Sequence, residues 1–115
     1  GHSFPTRRSS DLSTSKDYHY LMYRGSISNV ETLNAQRIYF PEEFRGKDYV
    51  VKWWSGNVFP KNAGDLLYSA NVEFVDENRA EAWVGLKASI MMRNPNTEST
   101  PSWKGKMNIM YIVIA

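Results

Sequence analysis

Residues 69–93, SANVEFVDENRAEAWVGLKASIMMR, constrain the fold more than any other stretch of the chain. Ala70, Val72 and Phe74 alternate with Asn71, Glu73 and Val75. Beyond the polar run Asp76, Glu77, Asn78 and Arg79, a second row of Ala80, Ala82, Val84, Leu86, Ala88 and Ile90 alternates with Glu81, Trp83, Gly85, Lys87 and Ser89. Period two on both sides of a polar turn specifies a long antiparallel hairpin with one buried face. Slipping the register by one residue would carry a whole apolar row to the solvent side. A bulged loop of three or five residues is therefore expected, keeping Ala70, Val72 and Phe74 on the face of Ala82, Val84 and Leu86. Glu73 and Trp83 then fall close together on the outer face.

The remaining segments read mostly as further strands. Asp17 to Ile27 alternates two apolar or aromatic rows, Tyr18, Tyr20 and Met22 against His19, Leu21 and Tyr23, as a strand covered on both faces would. Gly25 within it marks a bulge or a close backbone approach. Ser28 and Glu31 form a capping-box pair, which predicts a short helix over residues 28–37, with an irregular crossover as the alternative. Ile38, Tyr39 and Phe40 make a short strand stopped by Pro41, which places it on an edge or at a strand end. Asp48 to Ser55 predicts a strand, followed by a loop over residues 56–65 with Pro60 and Gly64 as breakers. Asn94 to Ser102 has loop composition. Residues 103–115 predict a last strand whose end is apolar on both faces and lacks an evident cover.

About six strands and one short helix predict an all-β domain, an antiparallel β-sandwich or partly closed barrel. The alternative is an α+β roll with residues 28–37 as a true helix. At 115 residues the chain holds one domain. It has no cysteine, so disulfides, thiolate metal sites and cysteine nucleophiles are excluded. The apolar run 109–115 is too short to span a bilayer as a helix.

His2 to Leu12, HSFPTRRSSDL, resembles the conceptual translation of a common sequencing adapter. The resemblance implies an artefactual or disordered tail over residues 1–12, a single β-rich domain over 13–115 with a linker-like start, and a natural N-terminus lying outside this chain. Omitting Arg7, Arg8 and Asp11 leaves twelve basic and eleven acidic residues, so the pI near 8.9 is no argument for a polyanionic partner. Neither nucleic acid nor a membrane is expected as a partner. The segment Leu21 to Ile27, LMYRGSI, resembles strands of the jelly-roll capsid proteins of small RNA viruses, and no residue role carries over from so short a match.

Catalytic chemistry has little to draw on. Outside the tail His19 is the single imidazole, set in an aromatic strand where a hydrogen-bonded structural role fits better than a Ser-His-Asp arrangement. Glu42 with Glu43, or Glu73 with Glu81, could form a carboxylate pair, but acids in turns and on outer faces are ordinarily solvated. Asp76, Glu77 and Asn78 offer oxygen ligands for calcium, yet a hairpin turn accounts for them fully. No catalytic residue, metal or cofactor is therefore expected. Aromatics are the stronger signal. Trp53 and Trp54 are adjacent in one strand, so one faces away from whatever the other packs on. Trp83 falls on the polar face of the hairpin, in the row of Lys87. These residues are second-core side chains if the sheet is covered on both faces; if exposed, they are contacts for a ligand or subunit. Trp54, Trp83, Glu73 and Lys87 are the candidate contact residues. The functions they imply are a non-catalytic assembly subunit that binds itself or another subunit, a glycan-binding module with tryptophan platforms, or a small barrel holding an apolar ligand.

Overall fold

The computed structural model describes residues 12–15 and 20–115. Among them are eight strands: β1 (Leu12–Ser15), β2 (Tyr20–Glu31), β3 (Ala35–Tyr39), β4 (Val50–Phe59), β5 (Leu66–Asn78), β6 (Trp83–Arg93), β7 (Ser102–Trp103) and β8 (Lys106–Ile114). Glu42–Phe44 adds one turn of 3-10 helix. Two antiparallel sheets result, one in the order β1-β2-β8-β4 and one in the order β3-β6-β5, with β7 on the β6 edge beyond β3. They form an all-β sandwich that does not close into a barrel. The α+β alternative falls with it, because the described residues contain no α-helix.

Strand β8 is the spine of the first sheet, hydrogen-bonded to β2 on one side and β4 on the other. The last strand, expected to lack an evident cover, has its inner face packed on the second sheet, and Trp103 belongs to β7 instead. Its alternating residues Met107, Ile109, Tyr111 and Val113 are buried against Ile38, Val84, Leu86, Ala88, Ile90 and Met92 of the second sheet. Burying each such side chain contributes roughly 1.5–3 kcal/mol. Gly25 lies opposite Tyr111, where a Cβ would stand 2.5 Å from the tyrosine hydroxyl oxygen. The close approach is to a side chain.

Two of the sequence-derived boundaries fail at one place. Both neighbours of β8 bulge beside Asn108, β2 between Ile27 and Val30 and β4 between Ser55 and Val58. Asn29 takes φ 59° and donates its backbone N–H to Asn108 Oδ1 at 3.1 Å. Left-handed backbone at the second residue of a would-be helix stops it, so Ser28 to Glu31 extend the strand despite their capping-box spacing. Gly56 sits where a Cβ would be 3.2 Å from the Asn108 carbonyl oxygen. That glycine permits a bulge rather than ending the strand, which runs on to Phe59.

The hairpin faces are as the alternation requires, by a different device. Ala70, Val72 and Phe74 pair with Ile90, Ala88 and Leu86. Asn78 and Trp83 flank a four-residue turn, and an extra residue, Val75, restores the register between Phe74 and Asp76. Ala82 lies in the turn with φ 57° and accepts the Phe40 N–H at 2.9 Å. One end of the sandwich is closed by aromatic rings: Phe40 and Phe44 meet Tyr49 edge-on at 5.5 and 6.0 Å, under Arg79, whose guanidinium lies 4.6 Å from the Tyr49 ring. Residues 1–11, and His19, lie outside the described residues, as does most of the expected tail. Residues 13–15, expected as linker, pair with β2 as an edge strand.

Candidate functional site

The four candidate contact residues divide between two surfaces. Trp54 lies on the outer face of the first sheet, opposite Met110, and is 51% exposed. Trp83 also points outward, from β6, yet only 6% of it is exposed. The Arg37 guanidinium stands 3.8 Å from its ring centroid, and Tyr39, its cross-strand partner, packs beside it with centroids 6.4 Å apart. The expected platform is thus occupied by the chain's own cation and ring. Glu73 pairs with Lys87 at 3.6 Å and accepts from the Ser89 hydroxyl at 2.9 Å.

Glu73 and Trp83 do not come close together. Glu73 faces Lys87 in the ladder whereas Trp83 faces Asn78. Four residues of strand, about 13 Å, separate the two rows. The Glu73–Glu81 pairing dissolves likewise, because Glu81 is in the turn, bonded to Asn78. Among the described residues no three His, Cys, Asp or Glu side chains gather to hold a metal ion. No described helix is long and apolar enough to cross a membrane.

Two features were missed by sequence reasoning. The first is a flank. Of the twelve large apolar residues left exposed among those described, eight lie on β4 or β5: Val50, Trp54 and Phe59, then Leu66, Leu67, Tyr68, Phe74 and Val75. These strands are the neighbouring edges of the two sheets, bridged where Trp53 stacks on Phe74 with centroids 6.1 Å apart. Around the edge, Trp54 continues into the outer face of the first sheet. There Val50–Ile114–Met22 forms one cross-strand row and Lys52–Ile112–Arg24 the next. The signal was available as Leu66, Leu67 and Tyr68, three consecutive large side chains that no alternation can bury together.

The second missed feature is a cleft of about 510 Å³ at the far end of β4 from the aromatic closure, with Trp103 in its wall. Its lining comes from residues 31–32, 60–61 and 103–106, three segments that only the fold brings together. Behind it, Lys104 is held by Asp65 at 3.2 Å and by Glu98. This hydrogen bond from Lys104 holds the Glu98 carboxyl below its ordinary range and raises the ammonium above its own. Compared with protein-family models, with curated proteins and with solved structures, the chain matches none.

Proposed function

We propose that this chain is a non-catalytic assembly subunit that binds further copies of itself through the β4–β5 flank. One observation carries the reading: two thirds of the exposed large apolar residues are gathered on two adjacent edge strands. Scattered single apolar residues are ordinary on a surface, whereas contiguous ones mark an interaction site.

The form of the contact follows from the backbone. An exposed edge invites ladder extension unless it is blunted. β4 bulges between Ser55 and Val58, and β5 bulges twice, between Leu67 and Ser69 and between Phe74 and Asp76. Bulges twist an edge away from regular pairing. The association is therefore one of side chains, with Leu66, Tyr68, Trp54 and Val50 packing on their counterparts about a two-fold axis, the geometry in which one patch meets its own copy.

Size exclusion coupled to light scattering on the full chain, over a concentration series, tests this reading. A discrete oligomer is expected, dissociating to monomer when Trp54→Lys and Tyr68→Ser are combined. A strict monomer at the highest attainable concentration would count decisively against assembly.

A further inference from the structure

We propose that the cleft around Trp103 binds an acidic saccharide, independently of the β4–β5 flank. Its volume, about 510 Å³, falls within the range of small-molecule sites. The lining offers three functions in one place. Trp103, 51% exposed as a residue, supplies an indole on which the C–H face of a sugar can lie. Lys61 and Lys106 supply ammonium groups, and Glu31 supplies a carboxylate that accepts from sugar hydroxyls.

The charges are arranged for recognition rather than for stability. Lys104 is engaged by Asp65 and Glu98, with its side chain 11% exposed, and so forms a fixed wall. Lys106 and Glu31 lie 3.9 Å apart, each more than half exposed, and are loosely joined. Lys61 is exposed and has no ion-pair partner among the described residues. One ammonium without an ion-pair partner among the described residues and one loosely held therefore share the cleft with the indole. The floor is rigid: Thr32 donates its hydroxyl to the Ile90 carbonyl and accepts the Ile90 N–H at 2.8 Å, while its own N–H reaches Gly105 O at 3.2 Å.

A ring stacked on Trp103 with a carboxylate or sulfate between Lys61 and Lys106 satisfies all three elements. Glu31 disfavours a phosphate-dense ligand by repulsion, which sets a nucleotide second.

The test is titration of the full chain with a uronic-acid oligosaccharide, a neutral oligosaccharide of equal length and a nucleoside triphosphate, read by calorimetry. Saturable binding of the acidic oligosaccharide is expected, weakening with salt. Trp103→Ala should weaken it about tenfold, as loss of one stacking platform does, and Trp103→Tyr should restore part of the loss. Lys61→Glu should weaken it severalfold, and Lys47→Ala, exposed at the opposite end of the sandwich, should leave it unchanged. Neither Trp103 nor Lys61 is a buried core residue, and circular dichroism would verify that both variants fold. Equal binding of the neutral oligosaccharide, preference for the nucleotide, indifference to Trp103→Ala, or no binding at millimolar concentration would each overturn the proposal.

Discussion

Strands β5 and β6 are the two arms of one hairpin and share one alternating pattern, yet they end in opposite environments. On β6, Val84, Leu86, Ala88 and Ile90 are fully buried, and even outward-facing Trp83 and Ser89 are covered. On β5 only Ala70, Val72 and Asn78 are even partly buried. The difference lies in their neighbours. β6 has β5 on one edge, β3 and β7 on the other, the first sheet beneath it and Arg37 above Trp83. β5 has a ladder partner on one edge alone. Alternation fixes which face a side chain takes, while position in the sheet decides whether anything lies over that face.

Breaking the comparison at its strongest point gives the largest effect. Leu86→Ala should destabilise the fold by about 2–5 kcal/mol, the range for truncating a fully buried leucine, measured by urea unfolding. Arg37→Ala comes next. It removes the exposed cation above Trp83, and a loss of stability well below that of Leu86→Ala is expected, as for a cation–π contact whose cation stays in water. Fluorescence separates this from a general effect: uncovering Trp83 adds a red-shifted, more quenchable component.

A third prediction concerns the β7 end of β6 and is confined to acid. Glu98 is more acidic in the folded chain because Lys104 donates to it. The unfolded chain therefore takes up the proton first as pH falls, and stability declines from about pH 4.5 down through the folded value. The melting temperature followed against pH should show this decline, and Glu98→Gln should flatten it. Smaller still is the exposed ion pair of Glu73 with Lys87, 49% and 34% accessible. A double-mutant cycle should return no more than about 1 kcal/mol.

The comparison also shows what the sequence could carry. The hairpin, its faces and the all-β class were legible because alternation is a local property of the chain. The helix expected at residues 28–37 was misread because Ser28 and Glu31 give the local signal, whereas Asn108, far along the chain, holds Asn29 in a bulge. The loop expected to begin at residue 56 was misread in the same way, since the strand bulges at Gly56 past the same Asn108 and runs on. Of the contact residues, Trp54 was singled out on its adjacency to Trp53, which leaves the two on opposite faces but does not say which face is exposed. The cover on Trp83 was not legible, since it depends on β3 pairing beside β6 and bringing Arg37 over the ring. Trp103 was hidden by its apparent continuity with β8.

The smallest expected change in folding stability sharpens the contrast most. Leu66 and Tyr68 are large and apolar, 58% and 59% exposed, so converting both to serine removes little buried surface within the chain. The change in unfolding free energy of the dissociated chain should stay within about 0.5 kcal/mol per site, as at surface positions away from special features. Leu86→Ala on the facing arm removes less apolar surface in total and has the far larger effect. The same double serine variant should nonetheless shift the association equilibrium strongly toward monomer. A stability loss comparable to that of Leu86→Ala would mean that β5 is covered within the chain and that the flank is no interface. Unchanged stability together with unchanged mass would assign the exposed row no partner. Unchanged stability with dissociation would place its cover on a second copy, as proposed for the flank.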